Sequence, residues 1–574
     1  MAFGKQEIIG VINEALHELG VSEVSFSVEQ PQELTHGDYA TNVALIAGKR
    51  LNISPKECAE KIVSVLKKGE AIKDVHIAGP GFINFFLNDD IVQDINKQKI
   101  EKLETKYTGK NILVEHSSPN LFKPFHIGHL MNNIVGEFVS RAVEVGGGDV
   151  KEISFPSDVS LGIAKAAYII FEDKKQGFDF DSEPLNKQII YFGDVYKKGV
   201  AYFDEHPDEI QKAKDIAHII FDETSKSEEY RVYDTIKEKN IDYFINILNS
   251  LGSNIHPVSG IIFESQAGNR GRKIIEENTG EGKVFQKGEG GAIIYTPDET
   301  RKDINTTVFV NSDGYPTYEG KDLGLIDIKF TKFNPDISFF ITDAEQAHHF
   351  KIVLDAASKL SGKWPEWVEK SKHIPHGRML FKGQKMSSRL GGVPLAFDVI
   401  DLVTEEAESL AGEKIIDLPE KDKADLWKEI ALSALRIAVL RSKPGLNINF
   451  DPESSLSFEG DSGPYLLYTH ARCASLLEKG KGDPEFGSYG VTPLERGMVH
   501  AEEMFVKAIE DLAPQQLVTY LFSIAQLFNS WYAQEQIITD DKEKTAHNLA
   551  VVARVKNILE RGLYILGIEA PNKM

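Results

Sequence analysis

The 574-residue chain has little cysteine, no long apolar run and no excess of positive charge, and each lack removes a class of function. Its two cysteines, Cys58 and Cys473, lie far apart and form no C-x-x-C pair. That argues against a thiolate zinc site or a disulfide framework and fits a reducing compartment. No stretch of 18 or more apolar residues occurs, and the amphipathic start, MAFGKQEIIGVINEALHELG, mixes charges. No membrane span is therefore expected, and the chain reads as soluble and cytoplasmic. Asp and Glu number 87 against 65 Lys and Arg. Taken alone, that balance argues against a nucleic-acid partner, because a polyanion would need locally basic surface on an acidic body. Short-period repeats and low-complexity tracts are missing as well.

What is present is enough chain for about four domains at roughly 150 residues each. Residues 1–108 hold two helical stretches, Gln6 to Leu19 and Pro55 to Leu66, and an alternating segment, HIAGPGFINFFL, that reads as strand: a small α+β unit. From 109 to 409, apolar runs alternate with helical patterns, as in NILVEH, then Met131 to Val145 closed by three glycines, then VKEISF. That βαβ order predicts a Rossmann-like parallel sheet. Charged helical and turn-rich segments between about 165 and 310 read as an insertion. The sheet pattern resumes with DISFFITD at 336 to 343, a helix from Glu345 to Leu360, and HGRMLF. From 410 to 574 the pattern is helical. The fold class expected is α/β, with an α+β N-terminal part and an all-α C-terminal part.

Residues 114 to 130, VEHSSPNLFKPFHIGHL, carry the first chemical signal. They sit where a buried strand gives way to a helix, and a helix N-terminus offers unpaired N–H groups and a positive dipole end suited to phosphate. Gly128 lets a flat ligand approach the backbone. His126 and His129, about one turn apart, share a face and are placed to donate to phosphate oxygens as charge builds. An isolated H-x-x-H at a helix start is more often a surface pair or a cap. The second signal is SKHIPHGRMLFKGQKMSSRLGGVP, residues 371 to 394, with five Lys or Arg and no acidic residue. Alone it reads equally well as a solvated basic loop; with the first signal, Lys385 becomes a group for neutralising a polyphosphate.

HIGH at 126 to 129 and KMSSR at 385 to 389 resemble the two signatures of class I aminoacyl-tRNA synthetases. SSPNLFKPFHIGHL, HGDYATNVAL at 36 to 45, GPGFINFFL at 79 to 87, NSDGYPTYEGKDLG at 311 to 324, YLLYTHAR at 465 to 472 and the ending LGIEAP are similar to the arginyl branch, so the resemblance covers nearly the whole chain. It implies activation of L-arginine by ATP, with Mg2+ carried by the ATP, and transfer to tRNA(Arg) by an enzyme expected to be a monomer. No resident metal, zinc included, is expected. His126, His129, Lys123 and Lys385 are the implied catalytic residues; Gly128, Met379, Met386 and Ser387 join the histidines and Lys385 around ATP. Glu115, Asn120, Tyr318, Asp322 and Gln346 are the implied arginine contacts. A guanidinium needs fixed acceptors because it has five donors and keeps its proton. Tyr465, Tyr468, Arg472, Trp531 and Tyr532 are candidates for stacking anticodon bases, although aromatics at helical spacing often belong to a core.

Two departures from the family pattern stand out. Ser388 occupies the place of a second loop lysine, and Lys123, three residues before His126, is the candidate replacement. FPSDVSLGI at 155 to 163 differs from the expected aromatic, glycine-rich sequence. Two rival readings are a class I ligase for another amino acid, which Asp322 and the lack of zinc-type cysteines disfavour, and a non-catalytic RNA-binding paralogue, which an intact HIGH and Lys385 disfavour.

Overall fold

The computed structural model describes residues 3–574 except 22, 32, 222–224, 226, 382–393, 412–418, 481–482 and 488. Its residues form two compact units, Met1–Lys106 with Leu410–Ile437 and Glu453–Met574, and Tyr107–Ser409 with Ala438–Pro452.

In the first unit, α1 (Phe3–Glu18), α2 (Val43–Leu51) and α3 (Pro55–Val65) pack with a sheet of β1 (Val28–Glu29), β2 (Tyr39–Thr41), β3 (Ile72–Ala78) and β4 (Phe82–Leu87), followed by α4 (Asp89–Asn96). Ser54 caps α3 by accepting from Glu57 N–H, and Pro55 takes the first helical position, where its missing N–H costs nothing. The sheet runs β1-β2-β4-β3, antiparallel throughout. HIAGPGFINFFL is thus not one strand but a hairpin, with Ala78 opposite Phe82 and Gly79 and Gly81 both at positive φ in the turn. The alternation survives because both arms of a hairpin can keep the same period. The helix α2, VALIAGKRL, is a short, nearly continuous apolar run whose period does not separate helix from strand, and the sequence does not announce it.

The C-terminal part of this unit is helical, with Gly463–Lys479, Ala501–Glu510, Pro514–Gln534 and Lys542–Ile565 as its main helices. Arg496 ties it to the N-terminal sheet, donating to Asp38 and to Asp89, each at 2.7 Å. His500 is fully buried against Tyr39, and neither ring nitrogen has a hydrogen-bond partner. Burial, with a smaller push from Lys5, lowers its pKa to about 3, against 6.5 in an exposed histidine. The unfolded chain therefore takes up a proton below pH 6.5 that the folded unit refuses until about pH 3. Stability is lost as pH falls through that window, at about 1.4 kcal/mol per pH unit. His500→Phe is expected to remove this loss. Denaturant unfolding at pH 7 and pH 5 should show the variant gaining about 2 kcal/mol on the wild type between the two; a pH-independent difference would contradict it.

The second unit is built on four parallel strands: β5 (Asn111–Glu115), β6 (Asp149–Ile153), and, after an intervening segment, β10 (Ile337–Asp343) and β11 (Ser371–His376). Their order is β11-β10-β5-β6, with Phe340 beside Glu115, Ile153 on its other side, and Asp343 beside His376. The chain leaves β5 toward β6 and returns on the other side as β10, so the carboxyl ends of β5 and β10 flank a topological switch point, where such sheets bind ligands. The helix α5 (Ile127–Val145) follows β5 and starts four residues before the apolar periodicity suggests.

The intervening segment holds the helices α6 (Leu161–Lys175), α7 (Leu185–Glu205), α8 (Ile210–Phe221), α9 (Glu228–Ser250) and α10 (Glu264–Glu277), and a small antiparallel sheet of β7 (Phe285–Lys287), β8 (Ile293–Tyr295) and β9 (Thr307–Val310). It returns through α11 (Tyr318–Phe333). α10 and α11 touch backbone to backbone: a Cβ on Gly271 would stand 1.9 Å from the Gly320 carbonyl oxygen, and one on Gly324 1.9 Å from that of Ala267. Ion pairs Glu264–Lys321 and Arg270–Asp327 cross the same seam. The short strand β12 (Met379–Phe381) pairs in parallel with β13 (Ile448–Phe450), which interrupts the helical run expected after residue 410. No helix among the described residues is long and apolar enough to cross a membrane.

Candidate active site

Glu115 ends β5, and the next eleven residues turn sharply enough to place Ser117 and Phe122 at positive φ before α5 begins. Asn132, one turn into α5, holds that turn against the sheet: its side-chain oxygen accepts from Ser117 N–H at 2.6 Å and its amide donates to the Ile341 carbonyl of β10 at 2.6 Å.

His126 is the N-cap of α5. Its Nδ1 accepts from Gly128 N–H at 3.1 Å, while Nδ1 of His129 accepts from His126 N–H at 3.3 Å, a reciprocal capping arrangement. The rings stack with centroids 3.7 Å apart. With each Nδ1 accepting, the ring proton sits on Nε2, so each imidazole keeps one N–H to donate. Burial lowers both pKa values, that of His129 well below the usual range, and Lys123 adds to the effect. At neutral pH the pair therefore serves as two neutral donors at the positive end of a helix. Lys123 places its ammonium 4.6 Å from the centre of the Tyr196 ring.

Lys385, Met386 and Ser387 lie outside the described residues. The residues on either side are described: Met379 and Phe381 lie in β12, Pro394 accepts from Ile127 N–H at 3.0 Å, and Leu395 bridges His126. The described chain thus stops at the end of β12 and resumes against the first turn of α5. Met379 is buried.

A small cavity of about 20 Å³ is lined by Glu115, Asp322, Lys329, Phe340, Phe350 and Ser371 among others. Tyr318 opens α11 and is 64 % exposed; Asp322 follows one turn later. The sequence reading missed what holds these acids. Buried Lys329 pairs with Glu115, opposing the upward pull of burial on that carboxyl. His349 contacts Asp322 at 2.5 Å through Nε2 and Glu319 at 3.3 Å through Nδ1. Burial alone would lower the His349 pKa, but hydrogen bonds to Asp322 and Glu319 carry it up to about 10, so it is a cation at neutral pH. The formal charges of Glu115, Glu319, Asp322, Lys329 and His349 sum to one negative charge, the complement of one guanidinium. Asn120 and Gln346 are exposed and do not line this cavity. No local pattern announces Lys329 or His349, because each meets its partners only through packing of α11 on the sheet and on α12 (Ala347–Ser358).

The departing segment FPSDVSLGI is pinned from both sides. Ser157 donates to Glu264 at 2.9 Å, Lys321 donates to the Val159 carbonyl at 3.0 Å, and buried Asp158 receives Lys237 and the Ser265 hydroxyl, both at 2.7 Å. It thereby fixes the first turn of α11.

In the first unit, the Arg472 guanidinium lies between the rings of Tyr468 and Tyr532, 4.7 and 4.8 Å from their centres, and donates to Asn529. Asn529 in turn donates to Tyr465 at 3.0 Å. A cavity of about 530 Å³ opens beside them, lined also by Phe458, Glu459 and Met574. Half-buried Trp531 is not part of its lining and packs on Phe528.

Comparison with known proteins adds three family matches: arginyl tRNA synthetase N-terminal domain over residues 6–87, tRNA synthetases class I (R), catalytic domain, over 91–451, and DALR anticodon binding domain over 466–574. The arginine–tRNA ligase of Pediococcus pentosaceus is 28% identical, covering 99% of this chain and all of its own, and that of Oenococcus oeni is 28% identical over 95% of each. Among solved structures, the arginyl-tRNA synthetase of Thermus thermophilus superposes with a TM-score of 0.80 at 22% identity, over 99% of this chain and all of its own. That of Plasmodium falciparum gives 0.79 at 19%, over 100% and 99%.

Proposed function

Because the chain belongs to the class I (R) family of tRNA synthetases, whose catalytic-domain model spans residues 91–451, we propose that it joins L-arginine to tRNA(Arg) at the expense of ATP. The expectation against a nucleic-acid partner, drawn from net charge, fails for that reason: net charge describes the whole surface, whereas recognition needs only local groups.

In this reading His126 and His129 donate their Nε2–H groups to ATP phosphate oxygens over the first turn of α5, beside Gly128, and Lys385 neutralises the leaving pyrophosphate. Met379, Met386 and Ser387 complete the ATP contacts, and Mg2+ enters with the nucleotide. Lys123 supplies the positive charge that Ser388 lacks. The arginine carboxylate attacks the α-phosphorus, the α–β bridging bond breaks and pyrophosphate leaves. A ribose hydroxyl of the terminal adenosine then attacks the adenylate's carbonyl carbon, and AMP departs. Position and charge supply most of the rate. Asp322 and Tyr318 receive the guanidinium, with Glu115, Asn120 and Gln346 around the amino acid. Tyr465, Tyr468, Arg472, Trp531 and Tyr532 meet the anticodon loop. The division at 108 and 409 into additional, catalytic and anticodon-binding domains, a monomeric state and a cytoplasmic site of action belong to the same proposal.

The observation that most supports the amino-acid assignment is the cluster of Glu115, Glu319 and Asp322 held by Lys329 and His349, whose formal charges leave one negative charge. A lysine would leave part of this acceptor set unpaired. Charging of total tRNA with each of the twenty labelled amino acids should give arginine alone, lost in Lys385→Ala. Charging with a different amino acid overturns the specificity; tRNA binding without charging overturns the chemistry.

A further inference from the structure

One residue beyond Glu115 the side chain turns to the other face of the sheet, as strand alternation requires. There His116, wholly buried, meets Glu137 of α5 and Glu152 of β6, with one ligand atom of each within 4.8 Å of the others. Room for the ring is built into α5. At Gly136 a Cβ would stand 2.3 Å from His116 Cγ, so a mid-helix glycine, which costs about 1 kcal/mol against alanine, is what admits the imidazole. Nδ1 of His116 pairs with the Ser117 hydroxyl at 2.9 Å, which orients the ring and turns Nε2 toward the carboxylates. Neither Nε2 nor Oε1 of Glu137 makes a hydrogen bond within ordinary distance, and both are buried; burial pulls the His116 pKa down, but the facing carboxylates, Glu152 first, raise it overall. Nε2 stands 3.6 Å from Glu152 Oε2, which also accepts from Asn254 N–H at 2.9 Å. That gap is long for a hydrogen bond, but it is the span of two ligands each about 2.1 Å from one metal ion in a near-tetrahedral setting. The other Glu137 oxygen is taken by Arg141.

We infer that His116, Glu137 and Glu152 form a site for one divalent first-row transition-metal ion, bound on the face of the sheet opposite the Glu115–Lys329 pair. One imidazole and two carboxylates suit zinc, and an oriented second ring nitrogen is the usual companion of a ligating histidine. A cavity of about 300 Å³ lined by Glu152, Ser140, Asn254 and His256, with Arg141 and Lys151 also on its wall, opens on the Glu152 side of the cluster. Such a site runs against the expectation, implied by the family resemblance, of no resident metal; the lack of thiolates bears only on cysteine-type sites, and this donor set is of another kind. The ion would clamp α5 and β6 to the end of β5, and so steady the turn that carries Asn120 and Lys123. Binding displaces the proton of a protonated His116, which passes to buffer.

Full-length protein stripped with a chelator and then titrated with Zn2+ tests this. Wild type is expected to hold one zinc per chain more than Glu152→Gln at equilibrium dialysis, and zinc should raise its unfolding temperature by a few degrees while leaving the variant's unchanged. Co2+ in place of zinc should give a visible ligand-field band in the wild type only. Equal zinc content in the two proteins, or no shift in the wild type, overturns the site and leaves a closed ion-pair network. Should Glu152→Gln fail to fold, His116→Phe, which keeps a ring in the space under Gly136, carries the same expectations.

Discussion

Asp322→Asn should lower kcat/KM for arginine by about a thousandfold, or ~4 kcal/mol, the scale for truncating one member of a desolvated charge pair. The shape of the side chain is nearly kept, so the loss is one of charge. With Asp322 neutral, the five charged groups of the cluster sum to zero, and an incoming guanidinium brings its full positive charge to groups that still include the Lys329 and His349 cations. His349 also loses the nearer of the two carboxylates that raise its pKa, keeping Glu319 at 3.3 Å. The residual activity should therefore rise with pH as His349 gives up its proton, whereas wild-type activity, with His349 held up to about 10, should not titrate through this residue near neutrality. Pyrophosphate exchange in the presence of tRNA across pH 6.5 to 9 reads both effects. A loss under tenfold, or a wild-type-like pH profile, would remove Asp322 from the guanidinium site.

The elements around that site were legible to unequal degrees, for physical reasons. β5, α5 and β6 announce themselves through an apolar run, a helical period and three closing glycines, all local signals. HIAGPGFINFFL misled because a Gly-Pro-Gly turn inside an alternating run leaves the period intact on both sides. Tyr318 and Asp322 could be paired from their spacing alone, since residues four apart share a helix face. Their support could not: Lys321 reaches Glu264, 57 residues away in sequence, and Lys329 pairs with Glu115 across more than 200 residues. The same holds for Gly271 and Gly324, whose need for a bare Cα exists only once α10 lies on α11. Sequence thus named candidate groups for a ligand and missed the groups that hold them, which long-range packing selects. Of the stacking candidates, Arg472, Tyr468 and Tyr532 meet in one cluster, while Trp531 packs on Phe528, because successive positions on a helix point about 100° apart.

Replacing His129 with Asn should cut the rate of adenylate formation by about a hundred- to a thousandfold, the usual effect of removing one preorganised donor at a transition-state oxygen. Asparagine is chosen because its amide oxygen can fall near the place of Nδ1 and still accept His126 N–H, while nothing replaces the N–H at Nε2. The stacked ring and part of the buried volume are lost, so some destabilisation is expected, and unfolding temperature must be measured alongside. His126→Asn has the same logic at a half-buried position, where the cap can be kept at smaller packing cost. If both rings act by donating in the transition state, each variant should lose kcat with little change in the KM for ATP. The double variant should then lose less than the product of the two, because adjacent donors to one phosphate group act as a unit. Were the rings only a cap, both variants would unfold at lower temperature and yet form adenylate within a few fold of the wild-type rate. The neutral state assigned to the pair sharpens the test: donors without charge to lose predict a wild-type rate that stays level between pH 7 and 9, whereas a catalytic imidazolium predicts a steep fall over that range.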